Sequence, residues 1–112
     1  MKKISELNIR EPEYKYYQAL ALQKRGDSSK AKILAKEIEI AGNEFLSMDR
    51  DVDFFSKFGE DQSQRDRQSK GNYLLALADI INGNQTDARI YFEKAIELNP
   101  SMLWVKIHLK SL

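Results

Sequence analysis

Two stretches of the sequence, YYQALALQKRGDSSKAKI at residues 16–33 and YLLALADIINGNQTDARI at residues 73–90, are versions of each other displaced by 57 residues. Under that displacement, several residues of the first stretch coincide with identical residues of the second. The pairs are Tyr16 with Tyr73, Ala19 with Ala76, Leu20 with Leu77, Ala21 with Ala78, Gly26 with Gly83, Ala31 with Ala88 and Ile33 with Ile90. Repetition at a fixed spacing indicates one supersecondary unit used twice, so it predicts the fold more directly than local propensity does.

Each copy has the pattern of two helices joined by a tight turn. Tyr16, Ala19 and Leu20 lie on one helical stripe, and the equivalent stripe of the second copy is more apolar. Gly26 and Gly83 stand where the first helix of each copy should end, because glycine adopts the left-handed conformation past a helix end at least cost. Each copy therefore predicts a helix hairpin.

The residues after each glycine predict the start of the second helix. Asp27-Ser28-Ser29 and Asn84-Gln85-Thr86 have short polar side chains that can cap free backbone N–H groups. Ala31 and Ala88 follow, and such small residues allow two antiparallel helices to approach closely.

The second copy resembles the tetratricopeptide repeat family, whose pattern is W-x2-L-G-x2-Y, then A-x3-F, then P. The matching positions are Leu75 and Ala76 for the Leu-Gly pair, Ala88 and Phe92 for the A-x3-F step, and Pro100 for the closing proline. Asn72 and Asp79 replace the expected Trp and Tyr. In the first copy Ala19 and Ala31 match, whereas Ala35 and Asn43 replace the Phe and the Pro.

The resemblance implies an all-α fold, a short α-solenoid of antiparallel helix hairpins of the tetratricopeptide-repeat type. Because the family unit has about 34 residues, a displacement of 57 leaves an insert of about 23 residues between the copies. Residues 1–112 then form one domain, with repeat 1 at about 12–45, an insert at about 46–68, repeat 2 at about 69–102 and a C-terminal capping helix at about 101–111. The second repeat's first helix is expected to start early, near Ser63. In the capping helix we expect Leu103 and Ile107 to face the second repeat, with Lys106 and Lys110 outward.

The insert carries three phenylalanines, Phe54, Phe55 and Phe58, and ends in the charged run Arg65-Asp66-Arg67. This arrangement is similar to the C-terminal repeat pair of some large bacterial proteins, in which an N-terminal region resembles carbohydrate-active proteins. The similarity implies an alternative function, as an accessory domain of a larger bacterial carbohydrate-processing protein or assembly.

The insert also contains part of a calcium-loop pattern. Asp49, Asp51, Asp53 and Glu60 occupy positions 1, 3, 5 and 12 of an EF-hand loop, but Phe54 stands where the sixth position requires glycine. A solvated acidic turn is therefore favoured over a calcium site.

Composition excludes several classes of function. Lys and Arg number 18 against 17 Asp and Glu, and this balance favours neither nucleic acid nor an anionic membrane as partner. The chain has no cysteine, and MKKISELNIREPE has no apolar core of a signal peptide. No apolar run approaches the roughly 20 residues of a membrane span. We therefore expect a cytoplasmic domain.

No catalytic, cofactor-binding or metal-binding residues are predicted. His108 is the only histidine, and the sequence around it offers neither further metal ligands nor a carboxylate to orient it as a base. We therefore expect a non-enzymatic module that binds a protein or peptide partner, with a homodimer as one alternative.

In a tetratricopeptide solenoid the first helices line a concave groove, where peptides dock. Relatives that hold chaperone tails use Lys, Asn and Arg there, whereas the matching positions here are Tyr or Leu, so that clamp is absent. The groove either binds an apolar partner segment or is filled by the phenylalanines of the insert, the reading we favour. The candidate groove residues are Tyr16, Leu20, Tyr73, Leu74, Leu77, Phe54, Phe55 and Phe58.

Overall fold

The computed structural model describes residues 10–52 and 61–112, which form an all-α domain. Its five helices are α1 (Arg10–Lys24), α2 (Ser28–Val52), α3 (Asp61–Ile81), α4 (Gln85–Leu98) and α5 (Leu103–Ser111). Each helix packs against the next in the chain, and α1 also contacts α3. None of these helices is long and apolar enough to cross a membrane. The predicted all-α class is confirmed.

The two glycine turns have the same backbone structure. Gly26 has φ +85° and Gly83 has φ +83°, the left-handed conformation that the sequence predicts. The hydrogen bonds of the first turn are Gly26 N–H to Gln23 O (3.0 Å) and Asp27 N–H to Leu22 O (2.9 Å); those of the second are Gly83 N–H to Ile80 O (3.1 Å) and Asn84 N–H to Asp79 O (2.8 Å). Both sets form the Schellman motif. Every partner in one turn lies 57 residues from its counterpart, so the duplicated sequence folds into duplicated turns.

The helices that follow the turns begin differently. The Asp27 carboxylate accepts a hydrogen bond from the Lys30 N–H at 3.3 Å, as expected of a capping side chain. Asn84 makes no such side-chain bond. Its amide instead bonds the Asp79 side chain, which lies in the preceding helix. The predicted cap is therefore found in the first copy and not in the second.

The core follows the duplicated positions. Its buried apolar residues include Tyr16 with Tyr73, Ala19 with Ala76, and Ala31 with Ala88. Further along the second helices, Ala35 and Ile38 are buried at the positions that Phe92 and Ala95 occupy in the other copy. At each of these two positions a large residue in one copy corresponds to a small residue in the other, and both residues are buried.

Helices α2 and α3 meet at a pair of glycines. A methyl group at Gly71 would lie 2.8 Å from Cγ and Cδ2 of Leu46 and 2.9 Å from the Gly42 carbonyl oxygen. One at Gly42 would lie 3.0 Å from the Gly71 carbonyl oxygen and 3.2 Å from Cβ of Leu74. Because neither helix leaves room for a side chain here, the two backbones approach directly. This contact joins the first hairpin to the second.

The two helices that flank the predicted insert at 46–68 extend into it from either end. Helix α2 continues to Val52, and α3 already begins at Asp61, two residues before the expected start. Residues 46–52 and 61–68 therefore extend the two flanking helices. In both of these extensions apolar and polar residues still recur at helical spacing, so each helix continues past the 34-residue unit.

The end of α4 is tied to α3 by polar contacts. The buried Ser69 hydroxyl donates to the Ala95 carbonyl at 2.7 Å, and the Asn99 N–H donates to the same oxygen at 2.9 Å. The Asn99 amide also donates to the Asp66 carboxylate at 2.9 Å. Arg65 donates to the Glu97 carbonyl at 3.3 Å, so part of the charged run at 65–67 joins two helices.

Helix α5 presents a different face to the core from the one that the sequence predicts. Leu103 and Ile107 are 65% and 51% exposed, whereas Val105 is completely buried. Leu109 and Leu112 pack partly against the core beside it. The expectation that Leu103 and Ile107 face the second repeat is therefore wrong, although Lys106 and Lys110 are exposed as expected.

We predict that Gly71→Ala lowers the free energy of unfolding by about 1–2 kcal/mol. Overpacking against a backbone carbonyl that cannot move aside should outweigh the gain of up to about 1 kcal/mol from alanine's helix propensity. Urea denaturation measures the difference. Asn43→Ala, at an exposed position on α2 next to Gly42, is the control and should be neutral or slightly stabilising. A Gly71→Ala protein as stable as the wild type would contradict the close backbone contact.

Substitutions at the two turn glycines should cost the same. Apart from atoms of the glycine and its two chain neighbours, no described atom lies within 4 Å of a methyl group placed at Gly26 or at Gly83, so the left-handed backbone is what opposes alanine there. We expect Gly26→Ala and Gly83→Ala each to lower stability by about 1 kcal/mol. Thermal unfolding of both variants tests this prediction. A large cost at one glycine and none at the other would show that the turns are not equivalent.

Candidate functional site

Four aromatic side chains from four helices form one cluster, which we call the aromatic cluster: Tyr16 of α1, Tyr73 of α3, Phe92 of α4 and His108 of α5. The His108 ring stacks on Phe92 with centroids 5.4 Å apart and planes inclined by 7°. It meets Tyr16 edge-on at 5.7 Å and Tyr73 in a tilted contact at 5.9 Å. Tyr73 also contacts Phe92 at 6.0 Å. His108 is thus enclosed by a ring from every helix except α2.

Two further residues of α1 border the cluster. The Tyr73 hydroxyl donates a hydrogen bond to the Glu13 carboxylate with an O–O distance of 2.5 Å. Tyr17 packs edge-on against Tyr16 at 5.2 Å and is 56% exposed. The cluster therefore has a carboxylate on one side and reaches solvent at Tyr17.

Burial and this carboxylate keep the buried phenols neutral. Burial raises the pKa of Tyr73 well above its ordinary range, and the hydrogen bond to Glu13 raises that pKa further. Burial also raises the pKa of Tyr16, with the nearby Tyr17 adding to the effect. A phenol that keeps its proton can donate a hydrogen bond but is a poor base and a poor nucleophile. The chemistry of these phenols is that of packing and hydrogen bonding.

His108 experiences two opposing influences. Burial lowers its pKa, because the imidazolium loses hydration among the rings. The negative charge of Glu13 acts in the opposite direction, and burial is the larger effect. The neutral imidazole is therefore favoured in this site.

The predicted groove residues are core residues wherever the structure describes them. Tyr16, Tyr73, Leu74 and Leu77 are buried, and Leu20 is half-buried against them. The rings of Tyr16 and Tyr73 both contact His108 of α5. Phe54, Phe55 and Phe58, the rest of the predicted groove, lie outside the described residues.

Sequence reasoning missed the parts of the cluster that are distant along the chain. It treated His108 as a histidine without an orienting carboxylate, but the fold brings Glu13 near it from the other end of the domain. No spacing rule connects residues from the first and last helices. The inward position of His108, three residues after the buried Val105, was the available signal.

Metal ligands are not grouped in the described part of the chain, where no three His, Cys, Asp or Glu side chains are positioned to hold an ion. Two residues of the calcium-loop pattern, Asp49 and Asp51, lie within helix α2, and an EF-hand loop is not helical there. The other two, Asp53 and Glu60, lie outside the described residues.

Several large apolar side chains are exposed on the outside of the domain. They are Tyr14 and Tyr17 on α1, Ile33 and Ile40 on α2, Ile90 on α4, and Leu103 and Ile107 on α5. Ile33 and Ile90 are equivalent under the 57-residue displacement, with exposures of 60% and 46%. Ile40 lies two helical turns after Ile33, on the same side of α2. We call Ile33, Ile40 and Ile90 the exposed isoleucines.

Comparisons of the chain with protein-family models, with curated proteins and with solved structures found no match. The fold is therefore defined by the geometry of the described residues alone, which form an all-α domain of five helices, each packed against the next.

We predict that Glu13→Gln lowers the pKa of His108. The substitution removes the carboxylate charge that favours the imidazolium and leaves the burial that disfavours it. Proton NMR measures this pKa without ambiguity, because His108 is the only histidine. Glu11→Gln removes the same charge from an exposed position on α1 and serves as the control. An equal pKa change in both variants would contradict a specific interaction between Glu13 and His108.

Proposed function

We propose that this chain is a non-enzymatic protein-interaction module that binds a partner protein or peptide through the exposed isoleucines of α2 and α4. We further propose that its two hairpins are of the tetratricopeptide-repeat type. The partner is a protein or peptide segment with an apolar surface.

The observation that carries this proposal is the repetition of an exposed isoleucine. Three duplicated pairs are explained by burial of both members: Tyr16 with Tyr73, Ala19 with Ala76, and Ala31 with Ala88. Ile33 and Ile90 are duplicated as well, yet both are exposed, so core packing does not account for them. Apolar side chains that recur on the outside of a domain favour an interaction surface. Ile40 adds to that surface on α2.

The charges around these isoleucines are mixed. On α2, Lys36 pairs with Glu39 at 3.1 Å, and Lys30 lies 3.8 Å from Asp27. Such exposed pairs contribute little to stability. They also give the surface no single sign of charge, which favours recognition through apolar contact over attraction of a polyanion.

Helix packing supports the proposed repeat type. Hairpin α1–α2 is followed by hairpin α3–α4, and α3 contacts both helices of the first hairpin. Stacking of each unit on its neighbour is how helical-repeat proteins build a continuous core. In the described residues α5 packs on α4 after the second hairpin, the place where the next hairpin would stack in a longer array.

The arrangement of titratable groups supports a binding role over catalysis. Tyr16, Tyr73 and His108 are packed ring against ring, and burial favours their neutral forms. A general base needs access to its substrate within hydrogen-bond distance. In the described cluster, the rings contact one another where a substrate would have to lie beside the base.

Affinity capture with matched variants tests the proposed function. Ile33→Ser combined with Ile90→Ser should lose the proteins that the wild-type chain captures from a cell extract, with no more than a small change in melting temperature. Tyr14→Ser combined with Leu103→Ser changes two equally exposed apolar residues on α1 and α5, and should retain them. Equal capture by all three proteins would contradict binding through the isoleucines. Capture of nothing by the wild type, or turnover of a substrate by the isolated chain, would contradict the interaction role.

A further inference from the structure

Helix α5 is held in place by side-chain contacts and by a backbone turn in which the Met102 N–H donates to the Asn99 carbonyl at 3.1 Å. It has nine residues, and Met102, which precedes its first residue, forms no side-chain cap. A helix this short does not persist alone in water. Val105 is its one completely buried side chain among those described, and His108, Leu109 and Leu112 are partly buried. A change at any of these contacts acts on the docking of the whole helix.

His108 makes the contact that depends on protonation. From α1 it is faced by Glu13 and Tyr16, from α3 by Tyr73, and from α4 by Phe92, which does not titrate. Lys106 and Lys110, the other charged residues of α5, are exposed. Glu13 is the one carboxylate in this set, and its oxygen already accepts the Tyr73 hydroxyl proton. An imidazolium would therefore lie among three rings, with one carboxylate already engaged elsewhere.

We propose that α5 is a pH-sensitive latch, in which protonation of His108 withdraws it from the aromatic cluster and releases the helix. A neutral imidazole stacks on Phe92 at little cost, whereas an imidazolium in the same position gives up hydration that the rings replace only in part. Release of α5 uncovers Tyr16 and Tyr73 on the side where α1 and α3 meet. The latch does not rest on the proposed function, since its test requires no partner.

The direction of the pH dependence follows from burial. The docked pKa of His108 is lowered, and the released side chain has the ordinary value near 6.5. Docking is therefore fully favourable above pH 6.5 and weakens as the pH falls from 6.5 towards the docked pKa. Within that window the docking equilibrium constant falls by up to about tenfold per pH unit, because one proton is taken up on release. Below the docked pKa no further weakening comes from His108.

One carboxyl group outside α5 has the opposite response to acid. Asp79, at the end of α3, has its pKa raised by burial and by Asp87. A carboxyl group whose pKa is raised in the folded protein stabilises the fold as the pH falls. Protonation of His108 has the opposite effect, because it destabilises the docked α5. The Ser69 and Asn99 bonds to the Ala95 carbonyl also hold the end of α4 without α5. Mild acid should thus release α5 while α1 to α4 stay folded.

One titration of the intact chain tests the latch, because each reporter occurs once. His108 is the only histidine, and Trp104, on α5, is the only tryptophan. Between pH 7.5 and 4.5 we expect the NMR pKa of His108 below 6.5. We also expect a change in Trp104 fluorescence in the same window, while helical circular dichroism changes only slightly. His108→Phe keeps a ring on Phe92 but cannot be charged, so its fluorescence should not follow that transition.

Three results would overturn the latch. The first is a His108 pKa at or above 6.5 in the wild-type chain. This measurement tests the latch even if the His108→Phe variant does not fold. The second is the same fluorescence transition in His108→Phe as in the wild type. The third is a single midpoint for fluorescence and circular dichroism, because it would mean that the whole domain unfolds together.

Discussion

The close approach of α2 and α3 at Gly42 and Gly71 is the contact on which the rest of the structure depends. A glycine within a helix costs up to about 1 kcal/mol relative to alanine, and each of these helices contains one at the crossing. In return the two backbones approach closely. A methyl group on either glycine would lie 3.0 Å or less from the carbonyl oxygen of the other. This contact joins the two hairpins, and one tyrosine of each hairpin, Tyr16 and Tyr73, contacts His108.

Much of the fold could be predicted from the duplicated stretch, and the reasons are local. The turn glycines, the buried alanines at 31 and 88 and the all-α class follow from helical periodicity and backbone preference. The face of α5 did not follow, because its apolar residues make two stripes, one through Leu103 and Ile107 and one through Val105 and Leu109. Only tertiary packing chooses between such stripes. The glycine contact and the pairing of Glu13 with the cluster were also missed, since each joins residues that no sequence spacing links.

Two groups of apolar side chains look equivalent in the sequence, but one group is buried in the folded domain and the other is exposed. Of the groove residues that the structure describes, four are buried and Leu20 is half-buried, and His108 of α5 contacts Tyr16 and Tyr73. The duplicated isoleucines, which the pattern assigned no role, are exposed on the second helix of each hairpin. A recurring apolar residue in a helical repeat therefore has two explanations, burial and recognition, and exposure in the folded chain distinguishes them.

The contact of Tyr16 with His108 also bears on the order in which the chain assembles. Both Schellman turns and the helices around them involve residues close in sequence, so their loop-closure entropy is small and the hairpins can form early. The pairing of α2 with α3 comes next, again between neighbouring helices. The His108 ring, in contrast, must find a tyrosine on the first helix after nearly the whole chain has folded. We therefore expect the last helix to dock last, as the step that completes the domain.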